Sequence, residues 1–253
     1  SIFLSMLRTY YDIAQKEKFE KRFSNLWIGS RPTQLQGTFQ ILFLDFSRVG
    51  GLDRTLAENF DDYCCGGLDD FASIYEPYYY PGFEEEMKAQ YGTTNKLNFL
   101  DRKARNNGSK LYLIVDEYDN FTNVVLNEQG DKVYHALTHA SGFYREIFKK
   151  FKGMFERIFM TGVSPVTLDD LTSGFNIGWN ISTDHQFNMM LGFSETDVRE
   201  MIQYYKDAGQ LPGNTNIDAM IEEMRPWYDN YCFAEESLER DPKMFNCDMV
   251  FYY

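Results

Sequence analysis

Two kinds of apolar pattern alternate along the chain. Near-continuous runs occur in "FQILFLDFS" (Phe39 to Ser47), "KLYLIVDEYD" (from Lys110) and "ERIFMTGVSP" (Glu156 to Pro165). Runs of this length, bounded by Gly or Pro, predict strands covered on both faces. Between them the apolar positions fall at helical spacing. Ile2, Leu4, Met6, Leu7, Tyr10, Tyr11 and Ile13 predict a first helix, Leu52 to about Cys65 a second and Gly67 to Tyr75 a third. "EPYYYPGF" reads as a loop, Glu84 to Tyr91 resumes helix, and Val133 to Phe151 reads as one long amphipathic helix. Strands separated by helices long enough to cross over imply parallel pairing in right-handed βαβ units, so the expected fold class is α/β. From about Ser194 the strand signals stop. "SETDVREMIQYYKDAG" is the clearest helix there, and Ser194 with Asp197 forms a variant capping box. The expected organisation is an α/β core over residues 1–190 and a small helical region over 191–253.

Composition narrows the class. The 253 residues are 43% hydrophobic and 17% aromatic, enough for a real core. A net charge of −13 argues against direct nucleic-acid binding, which needs a clustered Lys/Arg surface. No window approaches the roughly 18 uninterrupted apolar residues of a membrane span, and the opening "SIFLSMLRTY" lacks the form of a signal peptide. Cys64, Cys65, Cys232 and Cys247 have no CxxC spacing and read as reduced thiols of a cytoplasmic protein. The chain opens inside a helical pattern and closes on the apolar "NCDMVFYY", so it reads as a piece of a longer protein.

The candidate chemistry lies at the strand ends. In an open parallel sheet, ligands bind beyond the carboxyl ends of the strands. Three strands here finish in Asp45, in the cluster Asp116, Glu117 and Asp119, and in Thr161 with Ser164. A hydrophobic strand ending "DE" has the Walker B pattern, in which the first acid helps hold Mg²⁺ and the second polarises the attacking water. Ordinary strand-end polarity produces the same letters. A helix opening on "SI" is typical immediately after the Gly-Lys of a Walker A loop, but the glycines and the lysine are not in this sequence. Ser1 is thus either the Mg²⁺-coordinating hydroxyl or a serine with no such role. Elsewhere, His135 and His139 sit four apart in "HALTH" without an HExxH motif, and His185 reads as loop surface. The Tyr78–Tyr80 cluster beside Pro81 reads as loop packing or a contact surface, and Trp227 with Tyr228 as core of the helical region.

Segments spread over nearly the whole chain together resemble one family. They are "SIFLSMLRTYY", "FSNLWIG", "ILFLDFS", "LIVDEYDNF", "FMTGVSPVTLDDLTSGFNIGWNIS", "LGFSETDV" and "WYDNYCF". In this order the chain resembles the AAA-ATPase-like family of bacterial P-loop proteins, usually followed by a nuclease-like domain of the PD-(D/E)XK type. The resemblance implies a P-loop NTPase-like parallel sheet with flanking helices, followed by a helical lid. It implies ATP and Mg²⁺ as ligands, Asp116 as the magnesium acid and Glu117 as the catalytic glutamate. Asp119 would be a supporting or sensor acid. Thr161 would be the sensor of the γ-phosphate, with Ser164 second.

Two functions are expected from these features. In the first, the domain binds or hydrolyses ATP as a switch for a tethered C-terminal effector domain outside this chain. In the second, it is a degenerate P-loop fold acting as a binding or scaffold module. The Asp116–Glu117 pair favours the first.

Overall fold

A computed structural model describes residues 2–50, 55–120, 142–163 and 179–252. The chain forms two compact units, Ser1–Ile177 and Gly178–Tyr253. In the first, α1 (Ile2–Tyr11) and the short α2 (Phe19–Phe23) precede β1 (Phe39–Asp45). Then come α3 (Leu56–Tyr75), α4 (Phe83–Lys88), α5 (Gly92–Asn107), β2 (Lys110–Asp116), α6 (Phe143–Met154) and β3 (Arg157–Met160). The sheet order is β1–β2–β3 and both pairings are parallel. The three strands expected from the apolar runs are therefore neighbours in one sheet. Asp45 stands opposite Asp116, and Val115 opposite Met160.

Both faces of this sheet are covered, which accounts for runs that are apolar at every position. Leu42, Leu44, Leu111, Leu113 and Val115 point into a core shared with Phe60 and Phe71 of α3, Leu97 and Leu100 of α5 and Phe148 of α6. Phe39, Ile41, Tyr112 and Ile114 point the other way and meet Leu4 of α1. Burying each such side chain contributes roughly 1.5–3 kcal/mol. Strand β1 lies at the sheet edge, where unpaired N–H groups would cost stability. Two tyrosines of α3 take up two of them: Tyr75 Oη accepts from Ile41 N at 2.9 Å, and Tyr63 Oη accepts from Asp45 N at 2.8 Å. Tyr75 donates its own proton to Asp12 Oδ1, 2.9 Å away.

The helices depart from the sequence expectation in three places. Instead of two helices meeting at Gly66–Gly67, α3 runs through both glycines. A Cβ at Gly67 would come within 2.8 Å of Leu44 Cδ2, so the glycine permits the helix to lie close on β1 rather than ending it. Helix α5 was not anticipated, because its sequence is polar apart from a stripe that includes Leu97, Leu100 and Ala104. Helix α6 starts only at Phe143: Gly142 before it is extended, with ψ 141°, so no single helix runs from Val133 to Phe151. Residues 133–141 lie outside the described residues. The tyrosine loop packs as expected, with the Tyr79 ring stacked on Phe83 at 4.0 Å and its hydroxyl bonded to Gln40 Oε1. Burial pushes that phenol up to about 12.

The second unit comprises α7 (Glu195–Asp207), α8 (Ile217–Tyr228), β4 (Asp229–Tyr231), β5 (Met244–Phe245) and α9 (Cys247–Tyr252). The capping box predicted at α7 is present: Ser194 Oγ accepts from Asp197 N at 3.1 Å, and Asp197 Oδ2 from Ser194 N at 2.8 Å. The β4–β5 pair is antiparallel and was not expected in a helical region. Val198, Ile202, Ile221, Met224 and Phe245 form its small core. Trp227 is not part of it. It is 76% exposed, because the inward stripe of α8 runs through Ile221, Met224 and Tyr228 and leaves Trp227 off to one side. No described helix is long and apolar enough to cross a membrane.

Candidate functional site

At the carboxyl edge of the sheet, β2 ends in Asp116, and the chain leaves the ladder by a sharp turn at Glu117. Its φ is +53°, the one positive value at a non-glycine among the described residues. For a side chain with a Cβ this conformation costs about 1–2 kcal/mol and persists only where the surroundings enforce it. Here Tyr118 N donates to Thr161 O at 3.0 Å and Asn120 N to Glu117 O at 3.0 Å. From α6, the buried Tyr144 hydroxyl donates to Tyr118 O.

Thr161, just past β3, is bound to the same edge. Its N–H donates to Val115 O at 2.9 Å, and its hydroxyl to Asp116 Oδ1 at 2.6 Å. The predicted sensor and the predicted magnesium acid are thus in direct contact. Asp45 lies across the ladder from Asp116 and takes Ser47 N at 3.1 Å, Ser47 Oγ at 2.6 Å and Arg48 Nε at 3.1 Å. Much of its acceptor capacity is used in shaping the turn after β1. Asp119 is 0% exposed, and both its oxygens accept from Val163 N, at 3.1 and 3.0 Å. Burial, and after it the charges of Asp116, Asp119 and Asp45, holds the Glu117 carboxyl above the usual carboxylate range.

The structure therefore gathers Asp45, Asp116, Glu117 and Thr161 at one edge. Ser1, Ser164, His135 and His139 lie outside the described residues. His185 is in the second unit, 3.7 Å from Asp184 and 3.5 Å from Glu236. Sequence reasoning did not find Tyr144 or Gly162. Nothing in the local pattern marks Tyr144, whereas the glycine of "MTGVSP" was a visible signal of close backbone approach.

Among the described residues no three His, Cys, Asp or Glu side chains converge as a metal site. The donors do fit Mg²⁺, a hard cation usually held by one or two carboxylates together with substrate phosphate oxygens. Asp116 is the carboxylate that would serve such an ion.

In an open parallel sheet ligands bind beyond the carboxyl ends of the strands, and Asp116 and Glu117 stand at that end of β2, the middle strand of the three described. The family described as "Predicted AAA-ATPase" has a profile that matches residues 1–172, and the chain belongs to this family. The chain is also 27% identical over 133 residues to a protein of Azotobacter chroococcum mcd 1, described as "Uncharacterized protein in vnfD 5'region". That match covers 52% of this chain and 23% of the relative, so the chain spans about a quarter of the relative's length. No solved structure matches the chain.

Proposed function

We propose that the first unit is the P-loop-type core of an ATPase that binds ATP with Mg²⁺ and switches a tethered effector domain. The observation that carries this reading is the Asp116–Thr161 contact beside Glu117 at the sheet's carboxyl edge. In this reading Asp116 would hold Mg²⁺, whose charge would neutralise the phosphates and polarise the transferring group. The Thr161 hydroxyl fixes the orientation of Asp116 by donating to Oδ1. The left-handed turn separates the Glu117 carboxyl from the ladder. Its raised proton affinity suits a group that must orient water and accept a proton from it. The phosphate cradle belongs to a Gly-rich loop with a lysine, which these 253 residues do not contain. Four unbridged cysteines agree with a reducing cytoplasmic setting.

Calorimetry of ATP binding to the full-length chain, with Mg²⁺ and with a chelator, tests the reading. Binding should be Mg²⁺-dependent, and Asp116→Ala should remove most of that dependence. A lost charge-assisted contact of roughly 1.5–3 kcal/mol corresponds to about tenfold or more in affinity. If the full-length chain ignores Mg²⁺ and ATP, the ATPase reading falls and the fold is a scaffold.

A further inference from the structure

We infer that Asp119 is a positioning residue for this site: it ties the turn after β2 to the turn after β3, holds Glu117 and Thr161 in one frame, and touches neither nucleotide nor cation. The inference rests on the ATPase reading of the same edge. The β2–β3 ladder ends at Val115 and Met160, and Thr161 N to Val115 O is the next backbone bond. Beyond it Glu117 turns left-handed, and the strands can no longer pair by backbone alone. Tyr118 N to Thr161 O makes one more stitch, and then a side chain takes over. Both oxygens of Asp119 accept from Val163 N, 44 residues further along the chain.

Two further facts support a carboxylate built for this place. Asp119 has no exposed surface, so a hydrated cation would find no open oxygen on it. Gly162 is moulded around it: a Cβ there would collide with Asp119 Oδ1 and lie 2.6 Å from the Tyr118 ring. A carboxylate bonded to a backbone N–H away from water is a strong, directional contact, so the frame around Glu117 is stiff. Groups of this kind act through the residues they orient, and their loss typically costs about 10–100-fold in activity.

Asp119→Asn and Asp119→Ala in the full-length chain test the inference, read by kcat, ATP affinity, the Mg²⁺ concentration giving half-maximal rate, and amide exchange at Val163. Asparagine keeps a carbonyl oxygen for Val163 N–H and should hold kcat within about fivefold, whereas alanine should lose about a hundredfold. The Mg²⁺ and ATP half-saturation values should stay within about twofold in both, and exchange at Val163 should quicken about tenfold or more in the alanine variant. If asparagine is as damaging as alanine and Mg²⁺ half-saturation rises about tenfold, Asp119 is a ligand and the inference is wrong. It is equally wrong if alanine turns over at the parental rate. A parent without turnover would sink the ATPase reading. Exchange at Val163 then decides on Asp119 by itself, and an unchanged rate in the alanine variant overturns the tie.

Discussion

Glu117 joins the proposed chemistry to a strained backbone in one residue. Its backbone sits at φ +53°, where glycine is at ease and glutamate is not. The conformation separates the carboxyl from the sheet, so a stability cost accompanies the proposed function. Glu117→Gly should therefore stabilise the fold by about 1 kcal/mol, or roughly 2–4 °C in Tm, while abolishing turnover. The sign with pH comes from the raised pKa. Glu117 contributes stability below its ordinary value of 4.5, and loses it as pH rises through the raised folded value. The gain from glycine should thus be larger at neutral pH than in acid. Thermal unfolding at both pH values checks this, and a lower Tm for the glycine variant at neutral pH would refute the strain argument. At this scale much was legible, since a buried strand ending in two acids announces Asp116 and Glu117. The partners were not. Thr161 stands 45 residues from Asp116, and no local pattern pairs Asp119 with Val163.

Among the elements, strands were easier to read than helices because a doubly covered strand is apolar at every position, whereas a helix shows one stripe. β1, β2 and β3 were therefore visible in the sequence, and the α7 cap was visible in Ser194 and Asp197. Helix α5 was hidden by its polar faces. The two glycines of α3 misled in an instructive way: glycine weakens a helix in isolation, but α3 runs through both, and Gly67 clears space for Leu44. The two positions should respond differently to a methyl group. Nothing lies within 4 Å of a Cβ at Gly66. Gly66→Ala should stabilise the chain by about 0.5–1 kcal/mol through helix propensity and the reduced entropy of the unfolded chain. Gly67→Ala gains the same propensity but drives its Cβ to 2.8 Å from Leu44 Cδ2. It should come out neutral or destabilising. Denaturant unfolding of the two variants measures the difference, and equal stabilisation by both would show that α3 does not press on β1 at Gly67.

At the level of the whole molecule, the family match spans residues 1–172, which fall within the first compact unit. The second unit carries its own core, an ion-pair hub in which Arg225 meets Glu195, Glu222 and Asp229, and a hairpin that sequence reading missed. Its strands are two and three residues long, too short for apolar alternation to register. The charge of −13 sets a condition on the proposed activity. An acidic edge repels a polyphosphate unless a cation joins them, so turnover must depend on Mg²⁺ as well as on Glu117. The most direct test is steady-state ATP hydrolysis by the full-length chain and its Glu117→Gln variant, with nucleotide affinity measured alongside. The parent should show Mg²⁺-dependent turnover. The variant should keep parental affinity and lose turnover by about a hundredfold or more, since an amide cannot accept the proton from water. Parental turnover in Glu117→Gln would contradict the assignment of this edge as an ATPase site.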